Sequence, residues 1–270
     1  MGSVFSDAYD AVVEQWGVPV RRLVVDGDLA RTQVLVVGDD GAPPLLCLPG
    51  GGDTAAAWFA QAPVLASAHR VLAVDLPGDA GGSERRALRS ADELPAWLDE
   101  VLDGLGVASA AVLGHSLGAQ IAVAYALARP TRVRGLTLLD PTGMFAPMRI
   151  ATALRALPVM LAPTGKRAVA YAEWETARHW PPTPEFGRLA EASADGPRPR
   201  ITGYTVPKRP RPDALDKLRG LPGGVTMVAA LRSRYHDGTA LARTVERRYP
   251  WMRVETLPVS HHELPFAYRP

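Results

Sequence analysis

The sequence predicts an α/β fold: a mostly parallel sheet with an antiparallel N-terminal edge, helices on both faces, and a helical cap inserted after the sixth strand. Three observations predict it. Short apolar runs alternate with helix-length segments across short turns, the pattern of a layered, largely parallel sheet. The first two strand-like runs are joined by Asp26-Gly27-Asp28, a turn signal that marks a hairpin. The alternation stops at Thr142 and resumes after Pro212. Residues 1–141 and 213–270 are therefore expected to form the core, and 142–212 the cap.

In chain order, residues 20–25 and 32–38 are the edge strands. Residues 44–48 (Pro-Leu-Leu-Cys-Leu) are apolar throughout, as expected of a strand buried on both faces. They run into Pro49-Gly50-Gly51-Gly52-Asp53, where successive glycines leave backbone N–H groups open to close approach by an anion. A helix is expected over 55–66, a strand over 70–75, and a glycine-rich loop from Leu76 to Ser83. Over 92–105, Leu94, Trp97, Leu98, Val101, Leu102 and Leu105 recur at helical spacing. Strand 110–113 leads into Gly114-His115-Ser116-Leu117-Gly118 and a helix from about Leu117 to Ala128, and strand 133–139 ends in Asp140-Pro141. The cap carries helical stretches near 147–161 and 166–179, then a Pro- and Arg-rich run from Gly196 to Pro212 that reads as an extended, solvated connection. Helix 213–219, strand 225–231, helix 239–248 and strand 252–257 come next, and the chain closes with Val259-Ser260-His261-His262-Glu263-Leu264-Pro265.

Composition narrows the function classes. Apolar residues make up 47% and charged residues 21%, as in ordinary globular proteins. A net charge of +2 gives no argument for nucleic acid or an acidic membrane. No apolar run reaches the length that spans a bilayer, and Met1 to Asp7 lacks the basic-then-apolar pattern of a secretory signal. The single cysteine, Cys47, lies in an apolar strand and reads as a small buried hydrophobe. No His/Cys/Asp cluster has metal-ligand spacing. The expectation is a cytoplasmic protein without metal or cofactor, acting on a small molecule.

The chemistry concentrates at Gly114-His115-Ser116-Leu117-Gly118, a G-x-S-x-G match between a strand and a helix. A serine there sits on a strained strand-to-helix turn, with flanking glycines because a bulkier side chain would collide with neighbouring elements. The turn lifts the hydroxyl above the sheet and aims the first helical N–H groups at whatever binds there. That is a nucleophile's position.

Four ordered landmarks make the sequence resemble the α/β-hydrolase superfamily, most closely bacterial carboxylesterase-type members with a helical lid. They are Leu48-Pro49-Gly50-Gly51-Gly52 with Trp58 following, Asp75-Leu76-Pro77-Gly78, Gly114-His115-Ser116-Leu117-Gly118, and His261-His262. The resemblance implies the α/β-hydrolase fold, with Ser116 as nucleophile, a histidine as base, and the N–H groups of Leu117 and Gly51 as oxyanion donors. His262-Glu263-Leu264-Pro265 fits the family register, so His262 is the expected base, with His261 at the usual glycine position. His115 reads as structural, and His236, His179 and His69 as surface or lid residues. Family members usually carry the acid just after the strand that is 225–231 here, where this chain has Leu231-Arg232-Ser233-Arg234. Asp140, at the end of the preceding strand, is the expected replacement, with Asp237 the alternative. Relatives also continue into a full helix after the histidine loop. Its absence means that either a second subunit, as in a homodimer, covers that face or the active site is looser than usual.

The leading expectation is a serine hydrolase for a carboxylic ester or thioester with an apolar portion held under the cap. A biosynthetic enzyme using the same site for cyclisation, acyl transfer or C–C cleavage is the second, and a non-catalytic binding protein on the same fold the third. Dehalogenase and epoxide hydrolase chemistry is disfavoured, because relatives with those activities carry Asp where Ser116 stands.

Overall fold

The computed structural model describes residues 3–195 and 206–270. Its strands are β1 (Arg21–Asp26), β2 (Ala30–Val37), β3 (Pro44–Leu48), β4 (Arg70–Val74), the two-residue β5 (Glu84–Arg85), β6 (Ala110–His115), β7 (Val133–Leu139), β8 (Val225–Ala230) and β9 (Arg253–Leu257). They form one sheet in the order β1-β2-β4-β3-β6-β7-β8-β9, with β5 paired to β2. The β1–β2 and β2–β4 pairs are antiparallel, and every pair from β4 to β9 along that order is parallel. The hairpin edge and parallel centre arise from the turn at Asp26–Asp28 and from helices that return the chain between the later strands.

Side chains alternate between two apolar layers, as the pleat requires. Leu46, Leu48, Val112, Leu136, Leu138 and Met227 pack on one side beneath α3 (Leu94–Gly104), α4 (Leu117–Ala128) and α9 (Gly238–Arg248). Leu45, Cys47, Leu113, Leu139, Val228 and Ala230 pack on the other. That second face is covered by α1 (Ser3–Val13), a 3-10 segment at Ala55–Ala60, α2 (Ala62–Ala66) and α10 (Leu264–Ala267). The sequence reading left α1 out, yet its Tyr9, Val12 and Val13 and the following Trp16 are all buried.

The single helix expected over 55–66 is broken. Pro63 has no N–H to give the carbonyl of Phe59, so the 3-10 segment capped by Thr54 stops at Ala60 and a fresh helix begins. Between β7 and β8 the chain inserts α5 (Ile150–Leu161), α6 (Gly165–Glu175) and α7 (Pro184–Asp195), then α8 (Pro212–Leu215) leads back to the sheet. The unexpected α7 opens on Pro184, where a proline's missing N–H costs nothing. Residues 196–205, the greater part of the Pro- and Arg-rich run, lie outside the described residues. No helix among the described residues is long and apolar enough to cross a membrane.

Candidate active site

Parallel strands β6, β7 and β8 end at one edge of the sheet, and residues just beyond their ends assemble the site there. Ser116 comes directly after β6 with φ 51° and ψ −113°, outside the comfortable range of an L-residue, and caps α4. Its N–H donates to the carbonyl of Leu139 on β7 at 3.0 Å. The flanking glycines are sterically required. A Cβ on Gly114 would stand 2.5 Å from the carbonyl oxygen of Gly118, and one on Gly118 would stand 2.2 Å from that of Leu48. The Ser116 hydroxyl is half-buried and 3.1 Å from Thr142 Oγ1.

Asp140 comes directly after β7 and is fully buried, with φ 44°. Its Oδ2 lies 2.6 Å from His261 Nδ1, and its Oδ1 lies 2.8 Å from His236 Nε2 and accepts from the Ala230 N–H at 3.3 Å. Ser233, on the loop after β8, lies beside it. Burial pushes the Asp140 carboxyl up to about 7, opposed by His236, the Ala230 amide and Ser233. Burial likewise pulls His261 down to about 3, and the neighbouring His262 adds to that. His261 lies between the rings of His115 (4.7 Å between centroids) and Tyr235 (4.3 Å).

The pairing expected from sequence, His262 with Asp140, is not the one the structure makes. Asp140 takes His261, and His262 turns the other way to Glu175, the last residue of α6. The reason lies in the backbone. Glu175 Oε1 accepts from the N–H of His261 at 3.1 Å, and Oε2 from the N–H of His262 at 3.2 Å and its Nδ1 at 2.9 Å. With both amides held from the α6 side, the consecutive rings splay to 88°. Burial alone would depress His262, but the hydrogen bond and charge of Glu175 outweigh it and raise its pKa. Burial would raise Glu175, yet its His262 partner and the loop's amides hold it well below the usual carboxylate range. The Glu175 contact thus favours the charged form of His262, while burial favours the neutral form of His261.

The remaining sequence candidates fall into place around this pair of pairs. Leu117 is the first residue of α4, so its N–H has no partner within the helix. Gly51 stands beside Gly52, whose N–H donates to Asp79 Oδ2 at 2.8 Å. His115 is buried, with Nε2 3.1 Å from the carbonyl of His261. Asp237, the alternative acid, is exposed and caps α9 through the Ala240 N–H at 2.9 Å. His236, read from sequence as a surface or lid residue, is buried against Asp140. Thr142 and Glu175 were missed altogether.

The strand order, the serine turn and the buried Asp–His pair agree with one further finding: the model of the α/β-hydrolase fold matches residues 43–170. The chain has the α/β-hydrolase fold. The chain is 30% identical over 145 residues to carboxylesterase YbfK of Bacillus subtilis, covering 53% of this chain and 49% of that protein. It is 27% identical over 147 residues to the uncharacterized carboxylesterase nap of the same organism, again 49% of that protein. The sequence match thus spans about half the length of these curated relatives. Its fold superposes on the crystal structure of carboxylesterase CesB (YbfK) from Bacillus subtilis with a TM-score of 0.88 at 21% identity, covering 97% of this chain and 92% of that one. The naproxen esterase structure from Bacillus subtilis gives 0.86 at 19% identity, covering 99% and 95%.

Proposed function

We propose that this chain is a serine hydrolase that cleaves a carboxylic ester or thioester through an acyl-enzyme on Ser116, with His261 as base and Asp140 as its acid. The observation that carries the reading is the strained Ser116 turn at the end of β6 beside the buried 2.6 Å His261–Asp140 pair at the end of β7. The similarity to proteins named as carboxylesterases supports the same class of bond. In this reading α5 to α7 form the cap over the apolar portion of the substrate.

Asp140 accepts from His261 Nδ1–H and so leaves Nε2 as the lone-pair end of the imidazole. Nε2 takes the Ser116 proton as Oγ attacks the carbonyl carbon. The N–H groups of Leu117 and Gly51 hold the oxyanion, each worth about 10²–10³ in rate. Collapse expels the alcohol or thiol, which leaves with the proton from His261. Water then gives its proton to the same nitrogen, attacks the acyl carbon, and releases the acid and free Ser116.

His261 is assigned as base, in place of the His262 expected from sequence, for two reasons. It is the histidine bonded to the acid on the strand next to the nucleophile, and burial keeps it neutral, as a base must be at rest. The 2.9 Å His262–Glu175 pair defines the competing reading, Ser116–His262–Glu175. Intact-mass measurement after exposure to a fluorophosphonate decides between them. A single adduct is expected on the wild type and on His262→Ala, and none on Ser116→Ala or His261→Ala. Loss in His262→Ala with retention in His261→Ala would transfer the base to His262. No adduct on folded wild-type protein would end the serine-hydrolase reading.

A further inference from the structure

Glu175 is the one fully buried carboxylate that α5 to α7 bring to the histidine loop among the described residues. It sits where α6 ends and is 1% exposed. Its oxygens receive four donors, two each: the N–H groups of Arg234 (3.3 Å) and His261 (3.1 Å) on Oε1, and the N–H and Nδ1 of His262 on Oε2. These donors come from the loops after β8 and β9, which carry Ser233 and His236 beside Asp140 and then His261 itself. The start of α5 supports the same seam, since the Arg149 N–H donates to the Tyr235 carbonyl at 2.7 Å and Thr152 Oγ1 donates to the Arg234 carbonyl.

We propose that Glu175 is a positioning residue for the catalytic base: the cap reaches into the core with this carboxylate and fixes the backbone that aims His261 from Asp140 toward Ser116. The proposal rests on the assignment of Ser116, His261 and Asp140 as the triad. Glu175 bonds to backbone amides and to His262, while the His261 ring is bonded to Asp140. Its effect on His261 passes through the amides. Seating of the cap and alignment of the base then become one event, because α6 cannot leave without releasing His261. The charge and both oxygens are needed, since ordinary loop docking would be met by a neutral residue of the same size.

Glu175→Gln separates these cases. Gln has one acceptor oxygen, so its amide nitrogen must face two of the four donors. Misplacement of a reacting group by about 1 Å costs on the order of 10²-fold in rate. The expected result with a p-nitrophenyl ester is a kcat lower by on the order of 10²-fold with KM within about threefold of wild type, and a matching fall in the rate of fluorophosphonate inactivation. The downfield proton resonance of the His261 Nδ1–H···Asp140 bond should shift or broaden as well, although Glu175 does not contact that proton. His262→Gln keeps both amide bonds to Glu175 and should retain most of kcat; should Glu175→Gln fail to fold, Glu175→Asp carries the same expectation, its charge kept but its reach one methylene shorter. Near-wild-type kcat and an unmoved resonance in a folded Glu175 variant would overturn the positioning role. A loss in Glu175→Gln equal to that in Ser116→Ala, with His262→Ala equally dead, would overturn it differently by making Glu175 the acid of the triad. Failure of the wild type to react with fluorophosphonate would count against the hydrolase reading alone, since the proton resonance still reports whether Glu175 aligns His261.

Discussion

Replacing Asp140 by Asn is the perturbation whose outcome the geometry fixes most closely. The side chain faces a donor that cannot change, the Ala230 N–H at 3.3 Å, and an imidazole that can, His261 Nδ1 at 2.6 Å. Asn carries one oxygen and one NH2. The oxygen must therefore turn to Ala230, and the NH2 to His261. Facing a donor, Nδ1 becomes the acceptor and the ring proton moves to Nε2, so the nitrogen that should take the Ser116 proton already holds one. A wrong tautomer of this kind costs about 10⁴ in turnover, equivalent to about 5.4 kcal/mol of transition-state stabilisation at 1.36 kcal/mol per decade. The acylation burst with p-nitrophenyl acetate measures it directly, with circular dichroism as the check on folding. Folded Asp140→Asn with a burst rate within tenfold of wild type would refute the assignment of Asp140 as the acid and of His261 as the base it orients.

Other expectations come from the same contacts. Because burial raises Asp140 to about 7, kcat/KM should climb as pH rises through about 7 and the carboxylate forms; that limb should be missing in the residual activity of Asp140→Asn. The stability linkage has the opposite sign: a folded pKa above the unfolded value gives stability that is complete below about pH 4 and lost as pH rises through about 7. Urea midpoints of wild type relative to Asp140→Asn should therefore fall between about pH 4 and pH 7 and level off above it. Thr142→Val removes the 3.1 Å partner of the resting Ser116 hydroxyl, and a hydrogen bond of about 1 kcal/mol net predicts acylation faster by up to about fivefold; a loss beyond tenfold would mean Thr142 acts in the transition state. Cys47 is wholly buried and its thiol is pushed up by burial, so a disulfide reagent should find no thiol in the native protein and one in guanidinium. Gly118→Ala should lose fluorophosphonate labelling, since the new Cβ meets the Leu48 carbonyl at 2.2 Å, backbone that cannot step aside.

The sheet was readable because each buried strand is a short apolar run between turn residues, and the serine turn because its glycines are demanded by backbone contacts only a few residues away. Long-range polar contacts were not. Glu173 and Glu175 are two residues apart on a helix that looks solvated in sequence, yet one is exposed and the other is 1% exposed under four donors. No local pattern separates them, because the difference lies in loops from Arg234 and His261. The same carboxylate explains why the register of His261-His262 misled: the family spacing counts residues along the loop, while ring direction is set by which amide Glu175 holds. His236 was dismissed for a related reason, since its burial comes from an aspartate 96 positions earlier in the chain (236 minus 140).

The position of the proposed acid, Asp140, has a simple geometric rationale. Strands β7 and β8 are adjacent and parallel, paired from Leu136 with Val225 to Leu139 with Val228, so their ends open on the same edge about one strand spacing apart. A carboxylate after β7 can reach the space a carboxylate after β8 would fill, provided the backbone turns toward it. Asp140 makes that turn with φ 44°, and its N–H is held by the Val228 carbonyl at 2.8 Å. The loop after β8 then brings Ser233 and His236 up beside the carboxylate. An acid restored there, Ser233→Asp, would place two carboxylates against one buried histidine, and like charges at such distances cannot both ionise. Ser233→Asp alone should therefore reduce activity, while Ser233→Asp with Asp140→Asn should recover part of what Asp140→Asn loses. Failure of the double variant to exceed Asp140→Asn would show that the β7 position is required by the geometry around His261, and not merely allowed by it.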